Sequence, residues 1–237
     1  METVIVDLAV VIPVYNEEKN IKDCIESWTQ VLSDLQIQYL LIILNDGSWD
    51  NTERVLSGIP QQHSIRVIHK RNEGHGPTIL NGYVLASEIA QWVFQADSDN
   101  EIPPTAFHTF WNSRHGQDAI LGYRIGRKQS FVRRVISQTA KSATRILYNS
   151  RLKDVNIPYR LIRSDVLAPI ISRIPQNTFA PHVVISGALA KTGAAVMELP
   201  VPFQPRMHGV ASLNDISAFT HAVRSLFQIT RISRSFT

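Results

Sequence analysis

Two carboxylates stand one residue apart directly after a short apolar run, and their spacing suits the binding of a divalent cation. The apolar residues 92–94 predict a buried strand, and the segment around its end, QADSDNEIPP, carries Asp97 and Asp99. Carboxylates at positions i and i+2 of an extended loop can both approach one hard cation, and Mg²⁺ or Mn²⁺ prefers such oxygen ligands together with phosphates. Pro103 and Pro104 restrict the backbone where the loop ends. The pattern predicts a metal site at Asp97 and Asp99, although acids in loops also serve as turn or capping residues.

Polar turns follow other apolar runs of the chain. The run 39–44 precedes NDGS, in which Asp46 could accept hydrogen bonds from the base or ribose of a nucleotide or could belong to a plain β-turn. A glycine-rich loop, NEGHGP, occupies residues 72–77. The chain contains neither G-x-G-x-x-G nor G-x-x-x-x-G-K-[ST], which argues against a dinucleotide oxidoreductase and against a P-loop nucleotidase.

Positive charge is concentrated in one segment. Between Ala119 and Lys153 the chain has nine lysines and arginines and no acid, whereas the net charge of the whole chain is only +4. Like charges at this density repel one another unless an anion or solvent offsets them. The segment therefore predicts a site for phosphate, acidic lipid or nucleic acid, with a solvated basic helix face as the simpler alternative.

The elements that carry these residues follow from apolar periodicity. Apolar, β-rich runs predict strands at residues 4–14, 39–44, 65–68 and 92–96. An amphipathic helix follows the first strand, with Asn16 as its expected cap, and Pro77 is expected at the first position of a helix after the glycine loop. Continuous apolar strands, each followed by a helix, predict an α/β fold with a mostly parallel central sheet covered by helices. Ligands of such sheets bind beyond the carboxyl ends of the strands, so these loops should share one edge.

The second half of the chain has a weaker pattern. The basic segment predicts a helix from about Phe131 to Tyr148, and strands are predicted at residues 156–163 and 194–200 with two helices between them. A final amphipathic stretch, 216–232, predicts a helix that packs on the sheet or lies on a membrane surface.

Bulk properties bound the class of protein. At 237 residues, with 44% hydrophobic and 19% charged residues, the chain can form one globular domain. The single cysteine, Cys24, excludes an internal disulfide and indicates a reducing compartment. The N-terminus does not resemble a signal peptide, and no apolar run reaches the roughly 18 to 20 residues that a membrane span needs. We expect a cytoplasmic protein whose contact with a membrane, if any, is peripheral at the cytoplasmic face or through a membrane subunit.

Four motifs together resemble one enzyme family. VVIPVYNEEKNI, LNDGSWDNT, RNEGHGPTILNGYVLA and FQADSDNEIPP occur in the order and spacing of the family-2 glycosyltransferases, and the sequence looks most like the dolichyl- and polyprenyl-phosphate mannosyl- or glucosyltransferases. The likeness is close to about Tyr123 and looser beyond it, through RRVIS, DVNIPYRLIR and ELPVPFQPRMHG. The resemblance implies a Rossmann-like GT-A fold, a nucleotide-diphosphate sugar donor such as GDP-mannose or UDP-hexose, and an inverting transfer that needs Mg²⁺ or Mn²⁺. We expect one glycosyltransferase domain, residues 1–237, with a nucleotide-sugar-binding half at 1–123 and an acceptor-binding half at 124–237.

The resemblance also assigns roles to residues. Asp97 and Asp99 match the positions that hold the metal and the donor pyrophosphate, and so belong to the catalytic set. Glu101 stands where relatives often have glutamine, and its expected role is a third metal contact or a catalytic base. The expected donor-binding residues are Pro13, Tyr15, Glu17, Asp46 and Asp97. The positions that match the acceptor-phosphate site, with a late arginine near the phosphates, are Arg124, Arg133, Ser137 and Arg206.

The acceptor decides what chemistry the site must supply. A polyprenyl phosphate is already anionic near neutral pH and needs no strong base, so the basic segment would bind and orient it. A hydroxyl of a glycan needs a base, for which Glu101, Asp154 and His182 are the candidates. His182 stands where many relatives have an acid or an asparagine. A non-catalytic basic module that binds acidic lipid, a partner or nucleic acid is the remaining alternative. Because it leaves the acidic loop unexplained, we expect no nucleic-acid partner.

Overall fold

A single sheet positions the site, and it has seven strands in the part of the chain that the structure describes. The computed structural model describes residues 6–60, 64–125, 131–204 and 225–236. The strands are β1 (Val6–Val14), β2 (Tyr39–Asp46), β3 (Ile65–Lys70), β4 (Ala90–Ala96), β5 (Ala119–Ile125), β6 (Tyr159–Arg163) and β7 (Val196–Pro202). The helices are α1 (Ile21–Asp34), α2 (Thr52–Ser57), α3 (His75–Ile89), α4 (Phe107–Asn112), α5 (Phe131–Tyr148), α6 (Ser164–Ile171), α7 (Pro181–Lys191) and α8 (225–233), with 3₁₀ turns at Pro104–Ala106 and Arg234–Phe236.

The strand order is β3-β2-β1-β4-β6-β5-β7. β1 pairs in parallel with β2 and β4, β2 pairs in parallel with β3, and β5 pairs in parallel with β7. β6 is antiparallel to both of its neighbours, β4 and β5. The other six strands therefore point the same way, and the loops after β1, β2, β3 and β4 lie at one edge of the sheet. The predicted α/β fold with a mostly parallel sheet is confirmed.

Two apolar cores cover the two faces of this sheet. Residues 8–14 of β1 are buried throughout, which explains why this strand has a continuous apolar sequence. In β4, Val93 enters the core formed with α3, α6 and α7, whereas Phe94 enters the core formed with α1 and α4. The ring of Phe94 lies 4.7 Å from those of Phe107 and Tyr159, measured between centroids. Because each large apolar side chain contributes about 1.5 to 3 kcal/mol when buried, a one-residue slip of β4 is strongly disfavoured.

Two helix starts differ from those predicted. Helix α1 begins at Ile21, four residues beyond the position that an Asn16 cap would give, and Asn16 itself has a φ of 56°. Helix α3 begins at His75 after Gly74, so Pro77 is its third residue rather than its first. Pro77 is tolerated at this position because the N–H groups of a first helical turn have no partner within the helix, and proline lacks an N–H group.

The basic segment forms the predicted helix, α5, at Phe131–Tyr148. The helix packs on α7 through Tyr148, whose ring lies against Gly187. A Cβ added to Gly187 would be only 2.6 Å from the nearest ring atom of Tyr148. The predicted apolar stripe of this helix comprises Val132, Val135, Ile136, Ala140, Ala143 and Leu147. Val135 is 41% exposed and Ile136, Ala140, Ala143 and Leu147 are only half-buried, whereas the buried residues are Thr144 and Tyr148. The buried contacts of α5 therefore involve one side of the helix, and much of its remaining described surface is exposed.

The remaining predictions for the second half are confirmed with small shifts. β6 begins at Tyr159, directly after Pro158, and β7 begins at Val196; α6 and α7 are the two helices between them. Of the final stretch, residues 216–224 lie outside the described residues, and α8 buries Ile229 and Ile232 in the core with α3 and α7. Among the described helices, none has the length and apolar character that crossing a bilayer requires.

Candidate functional site

The loops after β1 and β2 are tied together by hydrogen bonds. Asn16 N–H donates to Ser48 Oγ at 2.9 Å, and Trp49 N–H donates to Asn16 Oδ1 at 3.0 Å. Glu17 N–H donates to Thr52 Oγ1 at 2.8 Å. Asn16 is therefore a link between two loops rather than the expected helix cap, and its left-handed backbone conformation is one that asparagine tolerates better than most residues.

Four of the five residues expected to bind the donor lie on these two loops or on the strands that lead into them, and the fifth, Asp97, follows β4. Tyr15 is 40% exposed, so its ring is accessible at the edge of the sheet. Glu17 is partly buried and accepts a hydrogen bond from Asn20 Nδ2 at 2.6 Å. Pro13 is buried within β1, where it lies opposite Leu44 of β2. The pyrrolidine ring of Pro13 is thus part of the sheet rather than of the exposed edge.

Asp46 is buried and its carboxylate accepts internal hydrogen bonds. Its Oδ1 accepts from Lys70 Nζ at 2.6 Å and from Glu73 N–H at 3.0 Å, and its Oδ2 accepts from Gly74 N–H at 2.9 Å. Burial alone would raise the pKa of Asp46, but the hydrogen bonds from Lys70 and Glu73 outweigh it and hold that pKa below its usual value. Asp46 therefore anchors the glycine loop beside the expected donor site.

The glycine loop brings the start of α7 to the same edge. Gly74 has a φ of 96°, which a residue with a Cβ rarely adopts. Gly76 packs against backbone, since a Cβ there would lie 2.2 Å from the carbonyl oxygen of Thr178 and 2.5 Å from that of Phe179. The close approach places the segment that precedes α7 beside the first turn of α3.

The acidic loop after β4 is held by main-chain contacts and by a tyrosine. Asp99 Oδ1 accepts from Glu101 N–H at 3.1 Å, and Glu101 O accepts from Gln204 N–H at 2.7 Å. Tyr159 Oη donates to Pro103 O at 3.3 Å. The two prolines at the exit of the loop are thus fixed against β6, which keeps the acidic side chains at the edge of the sheet.

Acidic and basic side chains meet in one cleft at this edge. Asp97, Asp99, Glu101 and Arg124 line it, and the remaining lining residues are Ala96, Ile102, Pro158, Tyr159 and Phe203. Asp97 and Asp99 offer the hard carboxylate oxygens that Mg²⁺ and Mn²⁺ prefer, so the residues present fit such an ion. Within the described ranges, no group of three or more His, Cys, Asp or Glu side chains could hold a metal by itself. An ion at these aspartates would need further ligands from water or from a phosphate.

Arg124, which is expected to bind the acceptor, is paired with Asp154. Arg124 Nε and Nη2 donate to the two oxygens of Asp154 at 2.8 and 3.0 Å, a bidentate pair in which both side chains are less than one-fifth exposed. Burial would raise the pKa of Asp154, but the hydrogen bonds and the charge of Arg124 outweigh it and lower that pKa. A carboxylate held in this way is a weak base, which counts against Asp154 as the base of a hydroxyl acceptor.

His182 is buried at the start of α7 and does not line the cleft. It is 4% exposed, and its Nε2 has no hydrogen-bond partner among the described residues. Burial, with the nearby charge of Arg160, lowers the pKa of His182 well below its usual value. The imidazole is therefore neutral near pH 7 and lacks access to an acceptor in the cleft.

Three of the four residues expected to bind the acceptor are on β5 or α5 and one is not described. Arg124 lies on β5 and lines the cleft. Arg133 is in the first turn of α5, and Ser137 follows one turn later and is exposed. Arg206 lies outside the described residues. Of these four, the structure brings Arg124 next to the acidic loop.

Sequence reasoning missed a buried polar group behind the cleft. Arg160 of β6 is fully buried and donates to the carbonyl oxygens of Val155, Ile157 and His182. Gln95 of β4 is also fully buried and donates to Asp97 Oδ1 at 3.1 Å. The available signal was a polar residue among apolar ones, Gln95 in WVFQA and Arg160 in YRLIR.

A family model described as "Glycosyl transferase family 2" matches residues 9–169. Among curated relatives, the undecaprenyl-phosphate 4-deoxy-4-formamido-L-arabinose transferase of Proteus mirabilis is 26% identical over 206 residues, which are 85% of this chain and 61% of the relative. An uncharacterised glycosyltransferase of Synechocystis sp. is 27% identical over 234 residues, which are 95% of this chain and 70% of the relative. The chain thus spans about three-fifths of the length of the first of these relatives.

Solved structures share the fold at low sequence identity. Glucosyl-3-phosphoglycerate synthase from Mycobacterium tuberculosis, in complex with Mn²⁺, uridine diphosphate and glucosyl-3-phosphoglycerate, has a TM-score of 0.70 at 14% identity, covering 97% of this chain and 80% of that one. Its complex with Mn²⁺ and UDP-glucose has a TM-score of 0.67 at 19% identity, covering 95% and 79%. The expected GT-A fold is confirmed. With the family model covering more than half of its length, the chain belongs to glycosyl transferase family 2.

Proposed function

We propose that this chain transfers a hexose or related sugar, with inversion, from a nucleotide-diphosphate sugar to a polyprenyl phosphate. The observation that carries the proposal is the cleft itself, in which Asp97 and Asp99 face the same space as Arg124. The acidic side suits a cation with its bound diphosphate, and the basic side suits a second anion. Two charged sites in one cleft fit a reaction between two phosphorylated substrates. We assign the reaction to one domain, residues 1–237, with the donor bound mainly by 1–123 and the acceptor by 124–237.

On the donor side, the loops after β1 and β2 would bind the nucleotide. Tyr15 offers an exposed ring, and Glu17 lies beside it on the same hydrogen-bonded double loop. Pro13 and Asp46 are buried, so we propose that they shape this edge of the sheet. Asp46 also holds the glycine loop, and we propose that it acts on the nucleotide through that loop. The glucosyl-3-phosphoglycerate synthase that shares this fold was solved in complexes with uridine diphosphate or with UDP-glucose. UDP-sugars and GDP-mannose are therefore the donors to test.

The charges of the cleft account for the chemistry. Cleavage of the bond between the sugar and the nucleotide builds negative charge on the leaving diphosphate, and Mg²⁺ or Mn²⁺, when bound, supplies the positive charge that stabilises it. Asp97 and Asp99 would hold that ion, with Glu101 as a further contact. The acceptor phosphate is the nucleophile and arrives ionised. Arg124 with Arg133, Ser137 and Arg206 would bind it and orient it towards the sugar.

The acceptor class rests on relatives and on charge. Curated relatives are named as undecaprenyl-phosphate transferases. The basic segment Ala119–Lys153, nine positive residues without an acid, would offset the charges of a lipid phosphate and of an anionic membrane surface. We propose that the protein works peripherally at the cytoplasmic face of a membrane, alone or with a membrane subunit.

A second acceptor class, a hydroxyl of a glycan, is favoured by one observation. Glu101 lines the cleft beside both aspartates, where a base would have to stand. Under this alternative Glu101→Gln should abolish transfer, and the double variant Arg133→Ala, Arg134→Ala should keep most activity. Under the lipid-phosphate proposal the outcomes are reversed. Transfer assays with a short-chain polyprenyl phosphate and with a soluble glycan separate the two.

The decisive experiment combines donor binding with one substitution. Titration calorimetry with UDP-glucose, UDP-N-acetylglucosamine and GDP-mannose, each with and without Mn²⁺, should show one donor whose binding is strengthened by the metal. Asp99→Asn should lose that strengthening and reduce transfer by more than about 100-fold, because the ion would lose a charged ligand at the diphosphate. Asp23→Asn, the same charge change on the exposed side of α1, is the control. Turnover of Asp99→Asn at the rate of the control would refute the assignment.

A further inference from the structure

Gln95 is a buried side chain that contacts an expected metal ligand from behind. It is fully buried in β4, and by strand alternation it points to the same face of the sheet as Val93, the face covered by α3 and α7. Its Nε2 donates to Asp97 Oδ1 at 3.1 Å. His75 Nε2 approaches the same oxygen from the exposed side, at 3.8 Å. Of these two neighbours, the Gln95 amide is the one that orients the Asp97 carboxylate by a hydrogen bond.

Buried polar atoms without hydrogen-bond partners occur on the strand and helices that pack at this face. Among the described residues they include Gln95 Oε1, Tyr83 Oη and His182 Nε2. The rings of Tyr83 and His182 lie 6.4 Å apart between centroids. Gln95 pairs across the β4–β6 ladder with Arg160, whose Nη1 donates to His182 O at 3.2 Å. Buried polar atoms are rarely left unsatisfied, so we read these three, which are connected through the Tyr83–His182 ring contact and through Arg160, as members of one polar network.

The charges around Gln95 fix which way its amide faces. The Asp97 carboxylate repels an oxygen and attracts an N–H, so Nε2 must face Asp97 and Oε1 must face the interior. There the guanidinium of Arg160 favours a carbonyl oxygen over an N–H group. Burial raises the pKa of Tyr83, so its hydroxyl keeps its proton and can donate. The neutral imidazole of His182 carries one N–H as well.

We propose that Tyr83 and His182 hold the Gln95 amide, directly or through bridging water, and that Gln95 in turn orients Asp97 for cation binding. Gln95 is then a positioning residue for the metal, and Tyr83 and His182 support it from α3 and α7. The inference rests on the proposed function in assigning a cation to Asp97. Partners of this kind, which orient a metal ligand without touching the ion, typically change metal affinity by 10- to 100-fold when removed.

The test measures metal binding rather than activity. Gln95→Leu removes both amide groups at similar volume, and Tyr83→Phe removes only the hydroxyl. Thr29→Val is the matched control, because Thr29 Oγ1 is another buried atom without a partner, on α1 at the opposite face of the sheet. Mn²⁺ affinity is measured by electron paramagnetic resonance in the presence of UDP, and UDP affinity without metal by calorimetry.

Gln95→Leu should weaken Mn²⁺ binding by about 10- to 100-fold and leave metal-free UDP binding unchanged. Tyr83→Phe should weaken Mn²⁺ binding less, and Thr29→Val should not change it. A folded Gln95→Leu protein that binds Mn²⁺ like the wild type, while Asp97→Asn does not bind it, overturns this inference and leaves the proposed function standing. A wild-type protein without UDP-dependent Mn²⁺ binding overturns both. If Gln95→Leu does not fold, equal Mn²⁺ affinity of Tyr83→Phe and Thr29→Val overturns the inference.

Discussion

Substitution of Asp46 by asparagine tests whether the glycine loop is held by one buried carboxylate. Asp46 accepts hydrogen bonds from Lys70 Nζ, Glu73 N–H and Gly74 N–H, at 2.6, 3.0 and 2.9 Å. Asparagine keeps the shape of the side chain but has a single acceptor oxygen. Its NH₂ group must face one of these donors, so at least one hydrogen bond is replaced by a contact between two donors.

The magnitude follows from the surroundings of the pair. Hydrogen bonds to a charged group contribute about 1.5 to 3 kcal/mol each, and removing one member of a buried ion pair costs about 3 to 5 kcal/mol. Lys70 keeps a second partner, because Glu73 Oε2 lies 2.8 Å from its Nζ, and its side chain is 14% exposed. The cation is therefore not left alone, and we expect Asp46→Asn to lower the free energy of unfolding by about 2 to 4 kcal/mol.

The effect should depend on pH in a direction that the pKa fixes. The pKa of Asp46 is lowered in the fold, because its hydrogen bonds and Lys70 outweigh burial. Its contribution is therefore fully present above the unfolded value, about 3.9, and is lost as the pH falls through the folded value. The difference in stability between the wild type and Asp46→Asn should be constant near neutral pH and shrink on acidification below about pH 4.

Urea unfolding from pH 3 upwards, followed by circular dichroism, measures this difference, with Asp23→Asn as the surface control. Calorimetry with UDP on the same samples shows whether donor affinity falls with the loop. Lys70→Met completes a double-mutant cycle, which should give a coupling energy of about 0.5 to 3 kcal/mol for the pair. If Asp46→Asn is as stable as Asp23→Asn at pH 7, the carboxylate does not anchor the loop and the reasoning from its contacts fails.

Two further substitutions test the contacts on either side of the cleft. Gly76→Ala should destabilise the fold by about 1 to 3 kcal/mol, because its Cβ would overlap the backbone of residues 178–179. Gly58→Ala is the control and should be tolerated, since the nearest neighbour of its Cβ would be 3.4 Å away. Urea unfolding compares the stability of the two variants. Asp154→Asn should raise the KM for the acceptor and keep kcat, because the carboxylate orients Arg124 and its lowered pKa makes it a poor base. A fall in kcat at unchanged KM would instead make Asp154 the base.

Local pattern was sufficient for the elements of the fold but not for all of their ends. The continuous apolar runs of β1 and β2 predict buried parallel strands because both faces of these strands are covered. The predicted start of α1 was wrong. Asn16, the expected cap, instead forms hydrogen bonds with Ser48 and Trp49, which lie more than thirty residues away in the sequence. Long-range partners of this kind leave no trace in the local sequence.

The site residues that lie at the ends of strands could be predicted from the sequence. Those that depend on which strands are neighbours in the sheet could not. Asp97 and Asp99 lie at the expected edge, and Arg124 lines the same cleft. Gln95 and Arg160 were missed because their relation depends on β6 entering the sheet antiparallel beside β4. Nothing in YRLIR specifies that neighbour, so a buried pair of polar residues could not be recognised before the strand order was known.

The surroundings of the three candidate bases indicate which class of acceptor the cleft suits. Of the three candidate bases, Asp154 is bound to Arg124 and His182 is buried behind the cleft, which leaves Glu101 next to two aspartates. A base at Glu101 would have to take a proton from the acceptor while a cation beside it draws the same carboxylate into coordination. An acceptor that arrives ionised avoids that conflict, because it needs a cation to receive it and no group to remove a proton. We propose that Arg124, which lines the cleft, is that cation, and for this reason we expect transfer to a phosphate to survive Glu101→Gln.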